Sequence, residues 1–280
     1  MSTESDQQPA PAGDLVLAER RGPVLLLTLN RPDRLNAWTN ELEDHYFALL
    51  DDAEAAPVVR AIVLTGAGRG FCAGADMDDL RQIGDADLGD ADLPRRARPR
   101  SYPLTVRKPL IAAVNGAAAG LGFVEALYCD LRFCVPDAKL TTSFARRGLI
   151  AEYGISWLLP RLVGRSRALD LLLSGRVVRG EEALAMGLVD RVVAPGELVD
   201  AAVAYAADLA AYCSPTSMGV IKQQVLRAAD AEFEPVFAEA GRLMLESFAR
   251  PDFAEGVRSY LEGRPPRFAP LDPKERGSGT

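Results

Sequence analysis

The stretch Ile62-Val63-Leu64-Thr65-Gly66-Ala67-Gly68-Arg69-Gly70-Phe71-Cys72-Ala73-Gly74-Ala75-Asp76 constrains this chain more than any other. Its Ile/Val run reads as a buried strand that stops at Thr65-Gly66. Four glycines then fall between Gly66 and Gly74. Without Cβ atoms, such a backbone bends sharply and lets a ligand lie almost against it. After Asp76 the sequence becomes helix-compatible (Met77, Leu80). A strand, a glycine-rich loop and a helix in succession offer free backbone N–H groups at the helix start, able to hold a phosphate or a developing oxyanion. No Gly-Lys-Ser/Thr follows Gly70, and the glycine spacing is not that of a dinucleotide fold. Alone, a glycine-rich loop after a strand is a connector more often than a site.

A second unit repeats the design. Pro109-Leu110-Ile111-Ala112-Ala113-Val114 is a buried-strand run that leads into Asn115-Gly116-Ala117-Ala118-Ala119-Gly120-Leu121-Gly122 and an apolar helical segment. Together with Leu29-Asn30-Arg31-Pro32-Asp33-Arg34-Leu35-Asn36-Ala37 and Gly187-Leu188-Val189-Asp190-Arg191-Val192-Val193, these units resemble the crotonase (enoyl-CoA hydratase/isomerase) superfamily over about residues 14–268. Several motifs in family order carry far more weight than one loop.

The 280 residues suffice for one large α/β unit with a smaller appended part, and 48% hydrophobic content supplies its core. A net charge of −7 argues against a nucleic-acid partner. No apolar run reaches the ~20 residues of a membrane span. Residues 1–13 are polar with no apolar signal region and read as a disordered tail. Cys72, Cys129, Cys134 and Cys213 lack zinc spacing, and His45 is the only histidine, so the expectation is a cytoplasmic protein with no metal.

Along the chain, 15–20 and 24–29 read as a hairpin. Thr39 N-caps a helix through about Ala55 with Leu42, Tyr46, Leu49 and Leu50 on its apolar side. Residues 58–65, 109–115, 131–135 and 139–142 read as strands, and 117–127 as helix. No period survives from Gly84 to Arg100, which reads as a surface segment, either a lid or an ordinary loop. Beyond about Leu158 the pattern is nearly all helix: 165–173, 181–186, 197–212, 215–228, 233–249 and 252–261, ended by Gly263, Pro265 and Pro266.

The resemblance implies an α/β fold, a crotonase-like spiral of β-β-α turns with a helical C-terminal part. It divides the chain into a tail (1–13), a core (14–195), a helical oligomerisation region (196–268) and a second tail (269–280). It implies a homotrimer or dimer of trimers. The ligand it implies is an acyl-CoA, with coenzyme A arriving as part of the substrate and no separate cofactor. Two backbone N–H groups, those of Ala75 and Leu121, would hold the thioester carbonyl. Leu121 stands where glycine is common. Ala73, Gly74, Asp76 and Gly120 frame these donors, and Arg34 is the best side chain for CoA, ahead of Arg69 and Lys108.

Hydratases of the family carry two glutamates that activate one water. Those positions are Val124 and Phe144 here, and Glu125, one residue along a helix, faces about 100° away. Glu152 remains, at the point where related isomerases carry a single Glu or Asp. One carboxylate suffices to move a proton from C2 to C4, and apolar Val124 and Phe144 beside it would raise its basicity. A plain acidic residue at a helix N-terminus is the competing reading of Glu152. The favoured reaction is isomerisation of a 3-enoyl-CoA to a 2-enoyl-CoA, with 2-enoyl-CoA hydration next, then thioester hydrolysis or decarboxylation, and a non-catalytic acyl-CoA binder from another class. Asp76 is expected to fix its loop through backbone bonds, and Asp130 to be structural. Cys72 lacks a partnering histidine.

Overall fold

The computed structural model describes residues 14–79, 81 and 98–272. The tail at 1–13, most of the segment Gly84–Arg100 and residues 273–280 lie outside the described residues.

Strands β1 (Val16–Arg21) and β2 (Val24–Leu29) form the expected hairpin, with Val16 opposite Leu29. Helix α1 (Asn40–Ala55) follows, and the Leu42 N–H donates to the Thr39 hydroxyl at its N-cap, as expected. Strand β3 (Ala61–Gly66) runs parallel to β2, and β5 (Leu110–Val114) runs parallel to β3. Every residue of β3 and β5 is buried, which is why both read as unbroken apolar runs rather than alternating ones. Strands β7 (Leu131–Cys134) and β9 (Arg191–Val192) complete a six-stranded sheet in the order β1-β2-β3-β5-β7-β9.

A second, parallel three-stranded sheet is built from β4 (Gly70–Cys72), β6 (Ala117–Ala119) and β8 (Leu140–Thr141). Consecutive strands alternate between the two sheets from β3 to β8, so the chain winds as a spiral. Helix α2 (Leu121–Tyr128) closes the second turn. The sequence assigns helix from Ala117, but Ala117–Ala119 pairs as strand with β4 and β8, and the helix begins only after Gly120. Tertiary pairing overrides the helix preference of three alanines there. Strands β4 and β9 are too short for a periodic signal.

The remaining elements are α3 (Ile155–Val163), α4 (Arg165–Ser174), α5 (Gly180–Ala185), α6 (Leu198–Tyr212), α7 (Pro215–Ala228), α8 (Phe233–Phe248) and α9 (Pro251–Leu261). Helix α6 lies across β2, β3, β5 and β7, burying Leu198, Ala202, Ala206 and Ala210. Alanine at every fourth position lets the helix approach the sheet closely. Helix α8 buries none of its residues, and Phe233, Phe237, Met244, Leu245 and Phe248 are exposed. No described helix is long and apolar enough to cross a membrane.

Candidate active site

Two asparagines from different segments hold the glycine-rich loop of the first unit. Buried Asn36, held at φ 55°, donates to the carbonyls of Ala67 (3.0 Å) and Gly70 (2.8 Å) and accepts from the Arg31 N–H (2.8 Å). Asn115 donates to the carbonyls of Gly66 (2.8 Å) and Gly68 (3.0 Å). These bonds explain why one asparagine belongs to the segment before α1 and the other to the turn after β5. They fix the glycine-rich loop without using its later N–H groups.

Gly74 then brings the loop against the start of α2. Its φ is 98°, and a Cβ added there would stand 2.7 Å from the Ala119 carbonyl oxygen and 3.7 Å from the Leu121 nitrogen. The short pairing with Trp38 uses the Gly74 carbonyl (2.7 Å) and the Asp76 N–H (3.0 Å), which leaves the Ala75 N–H outside it. Leu121 is the first residue of α2, where N–H groups have no partner inside the helix. Gly120 before it takes the positive φ of 50°, so Leu121 sits at an ordinary helical angle and carries its side chain without strain. The backbone at 121 therefore accepts a residue other than glycine, and the Leu121 side chain packs into the core. At the next residue, a Cβ added to Gly122 would stand 2.3 Å from the Cys72 carbonyl oxygen, so this glycine sets the spacing of α2 from β4.

Asp76 does what the sequence suggests. One oxygen accepts from the Asp78 N–H (3.1 Å), the other from Arg31 (3.0 Å), and these bonds hold its carboxyl below the usual carboxylate range. Ala73 is tied back to Leu35 by its N–H (3.0 Å). Arg34 is exposed on the same rim, 3.4 Å from Asp78. Lys108 is a different case: it is buried, with its ammonium donating to the Ala53 and Ala56 carbonyls at the end of α1, and burial pulls its pKa to about 8. It closes a helix end rather than facing a ligand. Burial pushes the Cys72 thiol up to about 12, which removes it as a nucleophile. Asp130 accepts from the Leu110 N–H (2.7 Å) and pairs with Lys222 (2.6 Å), a structural role.

Among the carboxyls, Glu152 occupies the turn before α3, its carbonyl accepting the Ile155 N–H (3.1 Å). It is partly buried, and burial raises its carboxyl above the usual range while the Arg100 guanidinium opposes the rise. Val124 and Phe144 are both buried and apolar. Phe144 approaches Gly120, with 3.9 Å between its ring and a Cβ added there.

A buried polar cluster lies behind this site, and sequence reasoning missed most of it. Glu125 is fully buried, and neither carboxylate oxygen has a hydrogen-bond partner. Burial, then the nearby Glu43, hold its carboxyl well above the ordinary range, against the pull of Arg100. Glu43, also buried, accepts from the Trp38 indole (2.9 Å) and forms an ion pair with Arg100 (3.3 Å). Tyr46 is buried with its hydroxyl unpartnered. A signal existed: Glu43, Phe47, Leu50 and Glu54 fall on one buried stripe of α1, so two of its acids stand at core positions. Among the described residues no group of His, Cys, Asp or Glu is arranged to hold a metal.

Comparison with known proteins sets this geometry in a family. The enoyl-CoA hydratase/isomerase family model matches residues 19–270. The chain is 36% identical to the 1,2-epoxyphenylacetyl-CoA isomerase of Escherichia coli, over 91% of this chain and 98% of that one. Its fold matches the crystal structure of an enoyl-CoA hydratase from Polaromonas at a TM-score of 0.84 and 30% identity, covering 90% of this chain and 99% of the other. A Mycobacterium marinum enoyl-CoA hydratase structure is 51% identical over 76% of this chain and 96% of its own, with a TM-score of 0.65.

Proposed function

The chain belongs to the enoyl-CoA hydratase/isomerase family of the crotonase superfamily, and from that premise we propose that it isomerises a 3-enoyl-CoA to the 2-enoyl-CoA with Glu152 as its single base. The observation that carries this reading is the contrast among three positions: Val124 and Phe144 are apolar and buried, while Glu152 keeps a partly buried carboxyl of raised basicity. Two acids are needed to orient and split a water; one is enough to shuttle a proton.

The step follows from bond bookkeeping. The Glu152 carboxylate takes a proton from C2 of the 3-enoyl thioester. The C–H electron pair moves into the C1–C2 bond and charge builds on the thioester oxygen. The Ala75 and Leu121 N–H groups stabilise that oxygen, each donor supplying roughly 3 kcal/mol in comparable sites. The now-protonated Glu152 returns the proton to C4, the C3–C4 π electrons accept it, and the double bond ends between C2 and C3. Nothing is oxidised or consumed. Arg34, with the backbone of 73–76 and Gly120, borders the CoA end, and Val124 and Phe144 the acyl end. No cofactor beyond the substrate's own coenzyme A enters. The exposed apolar face of α8 supports assembly as a homotrimer or dimer of trimers, and the site is read as that of a cytoplasmic enzyme.

A second reading is 2-enoyl-CoA hydration, with Glu152 positioning the water; it is favoured by relatives that bear the hydratase name. One experiment separates them. A 3-enoyl-CoA is incubated in deuterium oxide with the wild type and with Glu152→Gln, and double-bond position and deuterium content are read. A shifted bond with exchange in the wild type alone supports the isomerase. Addition of water to a 2-enoyl-CoA without any shift moves the reaction to hydration, tight CoA binding without turnover makes the protein a binder, and full turnover by the glutamine variant overturns the role of Glu152.

A further inference from the structure

We propose that Arg100 is the positioning residue of the Glu152 base: its guanidinium, shared between the Glu43 carboxylate and the Tyr153 ring, clamps the turn that carries Glu152 and brings a positive charge within range of it. The inference rests on the reading of Glu152 as the base, and it concerns a residue outside every family motif in the sequence.

The geometry is specific. The Arg100 Nε lies 3.3 Å from Glu43 Oε2, with both side chains largely buried. The same Glu43 oxygen accepts the Trp38 indole N–H at 2.9 Å, so the carboxylate is fixed from two sides. The Arg100 guanidinium carbon stands 4.8 Å from the centre of the Tyr153 ring, a cation–π distance. Tyr153, next to Glu152, holds a φ of 55°, which a bulky residue adopts only when its surroundings impose it. Two contacts do so here: Arg100 covers the ring, and the Tyr128 hydroxyl donates to the Tyr153 carbonyl at 2.6 Å. The turn is thus held from α1 through Glu43 and Arg100, and from α2 through Tyr128.

The charges around Arg100 come from three elements. Glu43 faces it from α1, Glu125 and Tyr128 from α2, and Glu152 and Tyr153 from the turn. Burial, then Glu43, hold the Glu125 carboxyl well above its ordinary range, and Arg100 pulls against that rise as it does at Glu152. Arg100 opposes the rise that burial imposes on Glu152. It thereby sets a compromise between a base strong enough to take the C2 proton and one that is ionised at neutral pH.

The test reads the titration of Glu152 directly, by carbon NMR of glutamate-labelled protein, with the resonance assigned by its absence in Glu152→Gln. Arg100→Gln is expected to move the titration midpoint, and with it the acidic limb of kcat/KM, up by about one pH unit. Glu43→Gln frees the Arg100 charge and is expected to move both downward. Arg100→Lys keeps the charge but not the planar stacking, so the midpoint stays near the wild-type value while kcat falls. A purely structural clamp would lower activity in all three without opposite displacements. Unmoved midpoints in Arg100→Gln and Glu43→Gln overturn the proposal, and if Arg100→Gln fails to fold, Glu43→Gln and Arg100→Lys decide it. Turnover that survives Glu152→Gln would sink the assignment of the base instead, while the NMR midpoint still reports whether Arg100 acts on Glu152.

Discussion

Gly74 and Ala119 meet so closely that a Cβ on the first would stand 2.7 Å from the carbonyl oxygen of the second. This contact joins the glycine-rich loop after β3 to the start of α2, where the Leu121 nitrogen stands 3.7 Å from the same added Cβ. A methyl group at Gly74 would have to push the two loops apart and would also sit at a φ of 98°. Gly74→Ala is expected to lose about a hundredfold or more in kcat/KM and about 1–3 kcal/mol of stability. Steady-state assays beside urea unfolding check both, and a fully active Gly74→Ala enzyme would remove this contact from the catalytic account.

Leu121 permits a cleaner test of the second donor. As the first residue of α2 it occupies a helical position where proline fits, since its N–H is not part of the helix ladder. Leu121→Pro therefore deletes the amide proton at little cost to the helix. Leu121→Ala deletes the same buried side-chain bulk and keeps the proton. The proline variant is expected to fall about a hundredfold below the alanine variant in kcat, with KM for the CoA moiety less affected. Equal kcat values in the two would show that this N–H holds no oxyanion.

The legibility of this molecule divides by the length of its signals. β3 and β5 were readable because parallel, fully covered strands leave unbroken apolar runs, and α1 because Thr39 marks its start. β6 was misread because three alanines carry a helix preference that only pairing with β4 and β8 overrides, and pairing is not written in the local sequence. At the candidate site, motif order points to Ala75, Leu121 and Glu152, which remain proposals, and the backbone accounts for the one irregular position: Gly120 absorbs the positive φ and leaves Leu121 unstrained. Lys108, one of three cations the sequence offers for CoA, is buried and closes the end of α1. Arg100 and Glu43 escaped notice because their meaning lies in contacts across 57 positions of chain, between a segment with no period and the inner face of an otherwise ordinary amphipathic helix.

The exposed face of α8 leads to a further expectation. Phe233, Phe237, Met244 and Phe248 recur at intervals of four, seven and four residues along one side of a helix that buries none of its own residues. A contiguous apolar stripe of this kind is rare on a free surface. Phe237→Glu is expected to shift the protein to a smaller species in light scattering, at concentrations where the wild type is assembled, without loss of helicity. An unchanged mass would show that this face carries no assembly.

The Glu125 carboxyl carries a signature in the dependence of stability on pH. Its folded-state pKa is raised well above normal by burial and by Glu43, while in the unfolded chain it titrates near about 4.3. The native state thus retains a proton that the unfolded chain releases. The associated stability is complete below the unfolded pKa and declines as pH rises toward the folded one, by about 1.4 kcal/mol per pH unit. Glu125→Gln keeps the shape and cannot ionise, so this decline disappears. Urea unfolding at a series of pH values should give two curves that lie together in acid and separate upward in favour of the variant as pH rises. Curves that stay parallel across the range would mean that Glu125 is ionised in the native protein, and Arg100 would then have to serve two buried acids rather than Glu43 alone.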